Sequence, residues 1–486
     1  MEEYNYAALA NTIKIENITL DEKNQDILRR LKDNDPSLNI LWICDLGDDE
    51  EGPSYIVSDN DDDDMGWLGY YIGQNTSLQK LVLHRDDLHH NVSFFRGLNF
   101  NKSIKNIQFY DVNLTGGETL QTLGQFFKNN HNLTEIEVKH GELGVEGARQ
   151  LSLALGTFDA SLTCFTLSNN QMGDEELVDI IFALRMHPQL EGLNLSSMNI
   201  GRNECTALST LLRITTKQLK ILDLSDNGID NEGVAALIHA LSSCNQLLEL
   251  YLAFNATITI RGWKTVSTLL EMPNSNLKGV ELACNNLGNE GALVFVNALR
   301  NNSKLKRFGL VGNGISSDGW EAVSSLLCDT SSVNNTYLSN HTLEGFDNMD
   351  RYLPADLVSS LELNASSENK GQIAMTKVLQ HHSHFNVQPF FEWEFKVLPL
   401  VIAWLEKANT RTFFHCSLRR KIKGMKLSCM YEFVREFPML YVEPITRKEI
   451  EECSAMELQL QEDQMQLTQQ LEKIQRNKAR AMRRLL

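Results

Sequence analysis

No uninterrupted apolar run in the 486 residues approaches the ~20 that a membrane-spanning helix requires; the longest, such as VLPLVIAWL at 397–405, fall well short. The nine cysteines (Cys44, Cys164, Cys205, Cys244, Cys284, Cys328, Cys416, Cys429 and Cys453) are odd in number, scattered, and never spaced Cys-x-x-Cys. That excludes a disulfide framework and a zinc ribbon. The N-terminus, MEEYNYAALANTIKIENITL, lacks a basic stretch followed by an apolar core, so it does not read as a secretory leader. Also missing are a P-loop, a dinucleotide fingerprint, a nucleophile elbow and an H-E-x-x-H pair. These absences predict a soluble intracellular chain, cytoplasmic or nuclear, that is not an enzyme and has no catalytic residue, metal, cofactor or small-molecule substrate.

Charge is plentiful but uneven. The net charge is -18, and Asp45–Asp64 holds ten acids with no Lys or Arg, whereas Glu472–Leu486 carries six basic residues against one Glu. An acidic surface repels phosphate backbones, which argues against nucleic acid as a partner for the bulk of the chain. Asp59, Asp61 and Asp63 imitate the start of a calcium loop, but the sixth position is Asp64 rather than Gly and the twelfth is Tyr70 rather than Glu. The segment reads instead as a solvated acidic loop. His381, His382 and His384 lie close together with no fourth ligand nearby, and so read as polar residues at a helix end.

What the chain has in abundance is one pattern. QLKILDLSDNGIDNEGVAALIHAL at 218–241 passes from apolar residues at every second position to apolar residues at every third or fourth, the periods of a strand and of a helix. The template L-x-x-L-x-L-x-x-N-x-L begins at Leu78, Ile104, Leu133, Leu162, Leu190, Leu219, Leu247, Leu277, Leu305 and Val333, at intervals of 26 to 30 residues. A further copy starts at Leu38, with the acidic segment inserted in it. A strand of about five residues and a helix of about twelve have matched lengths of ~17–18 Å, so each copy folds as a strand and a returning helix. Neither buries its apolar face alone, and stacking is required. Strands sit ~4.8 Å apart but helices need roughly 8–10 Å, so the stack bends with its strands inside.

These residues, in copies such as VELACNNLGNEGALVFVNAL and FGLVGNGISSDGWEAVSSLL, resemble the ribonuclease-inhibitor-like leucine-rich repeat proteins. The resemblance implies an α/β solenoid, a horseshoe with a parallel concave sheet and convex helices, over residues 38–346. The C-terminal part, with QPFFEWEFKVLPLVIAWLEKA and YEFVREFPMLY, resembles the tail of a leucine-rich repeat family expanded in diatoms.

A solenoid needs its ends covered. Residues 1–37, with Ile27, Leu28 and Leu31 at helical spacing, predict an N-terminal cap helix, and the aromatic-rich 347–445 a helical C-terminal cap. Residues 446–486 have no Pro or Gly and read as one long helix with a basic end. Its heptad seam is half apolar, so a coiled-coil dimer stays open beside a single exposed helix.

Asn170, Asn227, Asn255, Asn285 and Asn313 fill the ninth template position. A catalytic asparagine would be singular; a recurring one reads as a structural ladder whose amides bridge neighbouring main chains. Functional candidates are the residues that differ between copies on the outward third and fifth strand positions. Tyr251, Arg307 and Tyr337, with Phe254 just beyond the strand, have the composition of an interface hot spot. Glu135, Glu137, Asp223, Glu249 and Glu281 make the middle of that face acidic, suited to a basic protein partner. The expected function is a protein-interaction scaffold binding its partner on the concave face. Two other readings stay open: a GTPase activator using Arg85, and a structural or membrane-peripheral protein acting through the basic C-terminal helix.

Overall fold

The computed structural model describes residues 6–44, 52–57, 64–84, 92–115, 117–157, 162–170, 172–215, 217–346, 353–367 and 369–382. Strands and helices alternate along the chain. The strands are β1 (Ile40–Cys44), β2 (Ser54–Ile56), β3 (Lys80–His84), β4 (Asn106–Tyr110), β5 (Glu135–Lys139) and β6 (Cys164–Ser168). Shorter ones follow: β7 (Gly192–Asn194), β8 (Ile221–Asp223), β9 (Glu249–Tyr251), β10 (Gly279–Glu281) and β11 (Arg307–Gly309). All lie in one sheet of parallel neighbours, ordered β11 down to β3, then β1 and β2. This is a leucine-rich repeat solenoid.

The buried core runs along the stack between sheet and helices. In the copy at Leu219, Leu222 and Leu224 on the strand side are fully buried against Val234, Leu237 and Ile238 of the helix Asn231–Leu241. Asp230 caps that helix, its carboxylate accepting from Gly233 N at 2.7 Å. Asn231 then serves the next copy: its Oδ1 accepts from Thr259 N and Gly262 N, both at 3.0 Å, so the helix Ile260–Glu271 takes its N-terminal cap from its neighbour.

The ninth-position asparagines form a ladder with one rule. Each amide nitrogen donates to the sixth-position carbonyl of the preceding copy: Asn170 to Val138, Asn227 to Leu195, Asn255 to Leu224, Asn285 to Leu252 and Asn313 to Leu282, all at 2.8–3.0 Å. In return Asn227, Asn285 and Asn313 accept from the ninth-position N–H of that copy, on Met198, Asn255 and Asn285. Asn255 and Asn285 are fully buried.

A second asparagine row, not read from the sequence, holds the opposite corner, where each helix returns to its strand. Asn75, Asn101, Asn302 and Asn340 stand three residues before the leading Leu or Ile, accept from the two main-chain N–H groups just before and at that residue, and donate back to carbonyls of the preceding copy or, for Asn75, to Leu31 O of the helix Glu22–Lys32. Asn130 keeps part of this pattern, accepting from Asn132 N at 3.1 Å and donating to Ile104 O at 2.8 Å.

This row corrects the last register. Residues 333–338 fit the template as letters, but they form a helix, Val333–Leu338, capped by Ser332 Oγ accepting from Asn335 N at 3.1 Å. Leu338, which the template would bury, is 64% exposed. The next rung lies further on: Glu344 N donates to Lys306 O at 2.7 Å and Gly345 bridges Arg307. The copy after Leu305 therefore begins at Leu343, announced by Asn340. Tyr337 therefore does not occupy the outward strand position expected of it.

Both sheet edges are covered. The acidic insertion, read as a loop throughout, contributes β2 beside β1. Asn24, on the cap helix Glu22–Lys32, then treats β2 as a strand would, donating to Ile56 O at 2.7 Å and accepting from Ile56 N at 2.8 Å. At the far edge, beyond 343–346, stand the helices Ala355–Ala365 and Lys370–His381. Lys377 is fully buried there and donates to the helix-terminal Leu327 O at 2.6 Å. The remainder of the expected cap and the helix at 446–486 lie outside the described residues.

Two predictions follow from these contacts. Asn285→Ala strands buried partners on three main-chain groups and is expected to cost about 2–4 kcal/mol in urea unfolding, against about 1 kcal/mol for the part-buried Asn227. Burial, with the Lys370 charge adding to it, lowers the Lys377 ammonium from 10.5 to about 7. The unfolded chain thus holds more protons at this site between about pH 7 and pH 10, so the lysine's contribution to stability rises with pH across that window and is flat below it. Urea unfolding of wild type and Lys377→Met at pH 6.5 and 9.5 should show the difference moving in favour of wild type at the higher pH.

Candidate functional site

The outward positions of the strands fall into two continuous rows. The third template positions are paired from Ile40 through Lys80, Asn106, Glu135, Cys164, Gly192, Ile221, Glu249 and Gly279 to Arg307. The fifth run from Trp42 through Val82, Gln108, Glu137, Thr166, Asn194, Asp223, Tyr251 and Glu281 to Gly309. Neighbours within a row are ~4.8 Å apart and the rows are ~6.8 Å apart. Strand alternation turns them outward, as in β5, where Glu135, Glu137 and Lys139 are half-buried while Ile136 and Val138 are buried.

Each acid of this face has identifiable contacts. Glu135 accepts from the amide of Asn106. Glu137 accepts from the Tyr110 hydroxyl at 2.8 Å and pairs with Lys139 at 2.8 Å, while Lys139 also lies over the Tyr110 ring. Asp223 accepts from Ser225 N at 3.0 Å, and Glu281 from Ala283 N at 2.7 Å. Glu249 meets Arg307 Nη2 at 2.6 Å.

That last pair spans two strands because Gly279 lies between them. A Cβ on Gly279 would stand 1.8 Å from a Glu249 carboxylate oxygen, and one on Gly309 2.0 Å from a Glu281 oxygen. Both glutamates thus lie flat over a neighbouring glycine, and Arg307 is an internal counter-ion as well as a surface cation.

Beside this pair stands the aromatic part of the face. Tyr251 is half-buried between Asp223 and Glu281. Phe254, at the eighth template position, is 55% exposed with φ 56°. Every copy from Ile104 to Leu305 turns its corner in this left-handed region at the eighth position, using Asp111, His140, Asn169, Ser197, Asp226, Phe254, Cys284 and Gly312. Ile221, 46% exposed in the third row, adds an apolar contact that the sequence reading left out of the site.

Tyr337 does not join this group. It sits 50% exposed on the helix Val333–Leu338, away from both rows. Arg85 lies outside the described residues. The cysteines near the face and core are held as thiols: burial, then the charge of Glu135, pushes Cys164 up, and burial, then Glu204, takes Cys205 to about 12. Among the described residues no helix is long and apolar enough to cross a membrane.

Strand, corner asparagine and returning helix, repeated in register, define the class of protein. Comparison with known families agrees: the family model described as Leucine Rich repeat matches residues 218–237 and 274–296. The chain is thus built of leucine-rich repeats. It is similar to the mouse NACHT, LRR and PYD domains-containing protein 14, 26% identical over 55% of this chain and 27% of that protein. Human NACHT, LRR and PYD domains-containing proteins 2 and 3 are 32% and 30% identical, over 31% and 38% of this chain. Those matches span only 14% and 18% of the human proteins.

The Glu249–Arg307 contact is exposed on the arginine side and adds little to stability. Gly279→Ala must swing the Glu249 carboxylate aside and break it. The variant is expected to unfold in urea within about 1 kcal/mol of wild type, and adding Arg307→Gln should then cost nothing further. A further loss would mean that the pair survives the substitution.

Proposed function

We propose that the chain is a non-catalytic scaffold that binds a protein partner on the concave sheet face, chiefly between β8 and β11. The observation that supports this best is the register. It brings Ile221, Asp223, Glu249, Tyr251, Glu281 and Arg307 from four separate copies onto one surface, with Phe254 at its rim. Residues at these positions differ in chemical type from copy to copy, while the buried strand positions stay apolar throughout. An aromatic centre ringed by charge is how protein interfaces concentrate binding energy.

The relatives carry leucine-rich repeats in much longer proteins, which is consistent with a recognition module. Affinity capture should recover a partner with wild type and lose it with the triple variant Tyr251→Ala, Phe254→Ala, Arg307→Ala, whose circular dichroism should match wild type. An unchanged set of captured proteins from a folded triple variant would rule out this face.

A further inference from the structure

The same face carries information about the chemistry of its partner, and the inference here rests on the scaffold reading above. From β8 to β11 the two rows present Asp223, Glu249 and Glu281, with Arg307 as the cation among them and Glu249 as its partner. The protein thereby shows how this surface holds a guanidinium: at 2.6 Å from a carboxylate that itself lies over a glycine. In the neighbouring row Asp223, Tyr251 and Glu281 are consecutive, so the backbone of Tyr251 lies one strand, ~4.8 Å, from that of an acidic residue on either side.

Phe254 completes the group. An exposed phenylalanine at φ 56° neither fills the core nor suits the left-handed backbone, where Asn, Asp and Gly serve most other copies. It stands three residues beyond Tyr251, at the corner just after β9 ends. Negative charge on both sides of an aromatic pair is complementary to a cationic side chain and repels an anionic one.

We propose that Asp223, Tyr251, Phe254 and Glu281 seat an arginine or lysine side chain presented by a basic segment of the partner protein. The rings contact the cation and the carboxylates pair with it.

The test uses the full chain and four fluorescein-labelled decapeptides in which glycine alternates with Arg, Lys, Glu or Ser, read by anisotropy at low and moderate salt. The Arg and Lys peptides should bind, more weakly as salt rises, and the Glu and Ser peptides should not. Asp223→Asn, Tyr251→Ala and Phe254→Asn should each weaken the Arg peptide about two- to fivefold. Glu175→Gln, an equal loss of charge at an exposed site on the helix Asp174–Ala183, should leave binding unchanged. Because asparagine adopts the left-handed region readily, Phe254→Asn should resist urea at least as well as wild type, which separates lost binding from lost folding. Equal affinity across all four variants, or tight binding of the Ser or Glu peptide, would overturn the cation seat. A captured partner that depends on Tyr251 and Phe254 while the basic peptides ignore them would overturn the seat and leave the scaffold reading in place.

Discussion

Everything in this molecule depends on satisfying main-chain groups at the two corners of each repeat. Strand pairing satisfies the strand, and the helix satisfies itself, but the chain must turn between them inside a stack that excludes water. Buried N–H and C=O groups left unmade there would each cost about 1–3 kcal/mol. Asparagine solves this because one short side chain both donates and accepts. The ninth-position row reaches back to the preceding copy at one corner, and the row headed by Asn75 and Asn101 does so at the other. Since each ninth-position asparagine also bonds to the preceding copy, the ladder fixes register.

Register, in turn, creates the functional surface. Once neighbouring strands are locked at the same template position, residues some thirty apart in sequence become near neighbours, and a face is composed one residue per copy. Tyr251 between Asp223 and Glu281 is such a composition. The glycines at 279 and 309 matter for the same reason: a missing side chain on one strand lets a glutamate from the previous strand lie down, and at Gly279 lets Arg307 reach it. No single repeat contains that arrangement.

Much of this was legible in the letters because the repeat is strongly periodic and its asparagines recur. The strand rows follow directly from the template positions through Arg307 and Gly309. The reading failed at Val333, where VNNTYL matches the pattern by spacing alone while Ser332 and Thr336 supply the hydrogen bonds of a helix start. The signal that would have prevented the error was present as Asn340, three residues before Leu343, in the same relation as Asn75 to Leu78 and Asn101 to Ile104. The short strand within the acidic insertion was hidden for a different reason. Its pairing partner is β1 on one side, and the side-chain amide of Asn24, 32 residues away, on the other.

By itself the sequence determined the repeat, its period, the inward leucines, the asparagine ladder and which residues face outward, because these follow from side-chain periodicity and local hydrogen-bonding capacity. The tertiary structure decided where the array ends, how its edges are closed, and which outward residues meet. It withdrew Tyr337 from the face and tied Arg307 to Glu249, since those facts depend on contacts between copies that no single stretch of chain encodes.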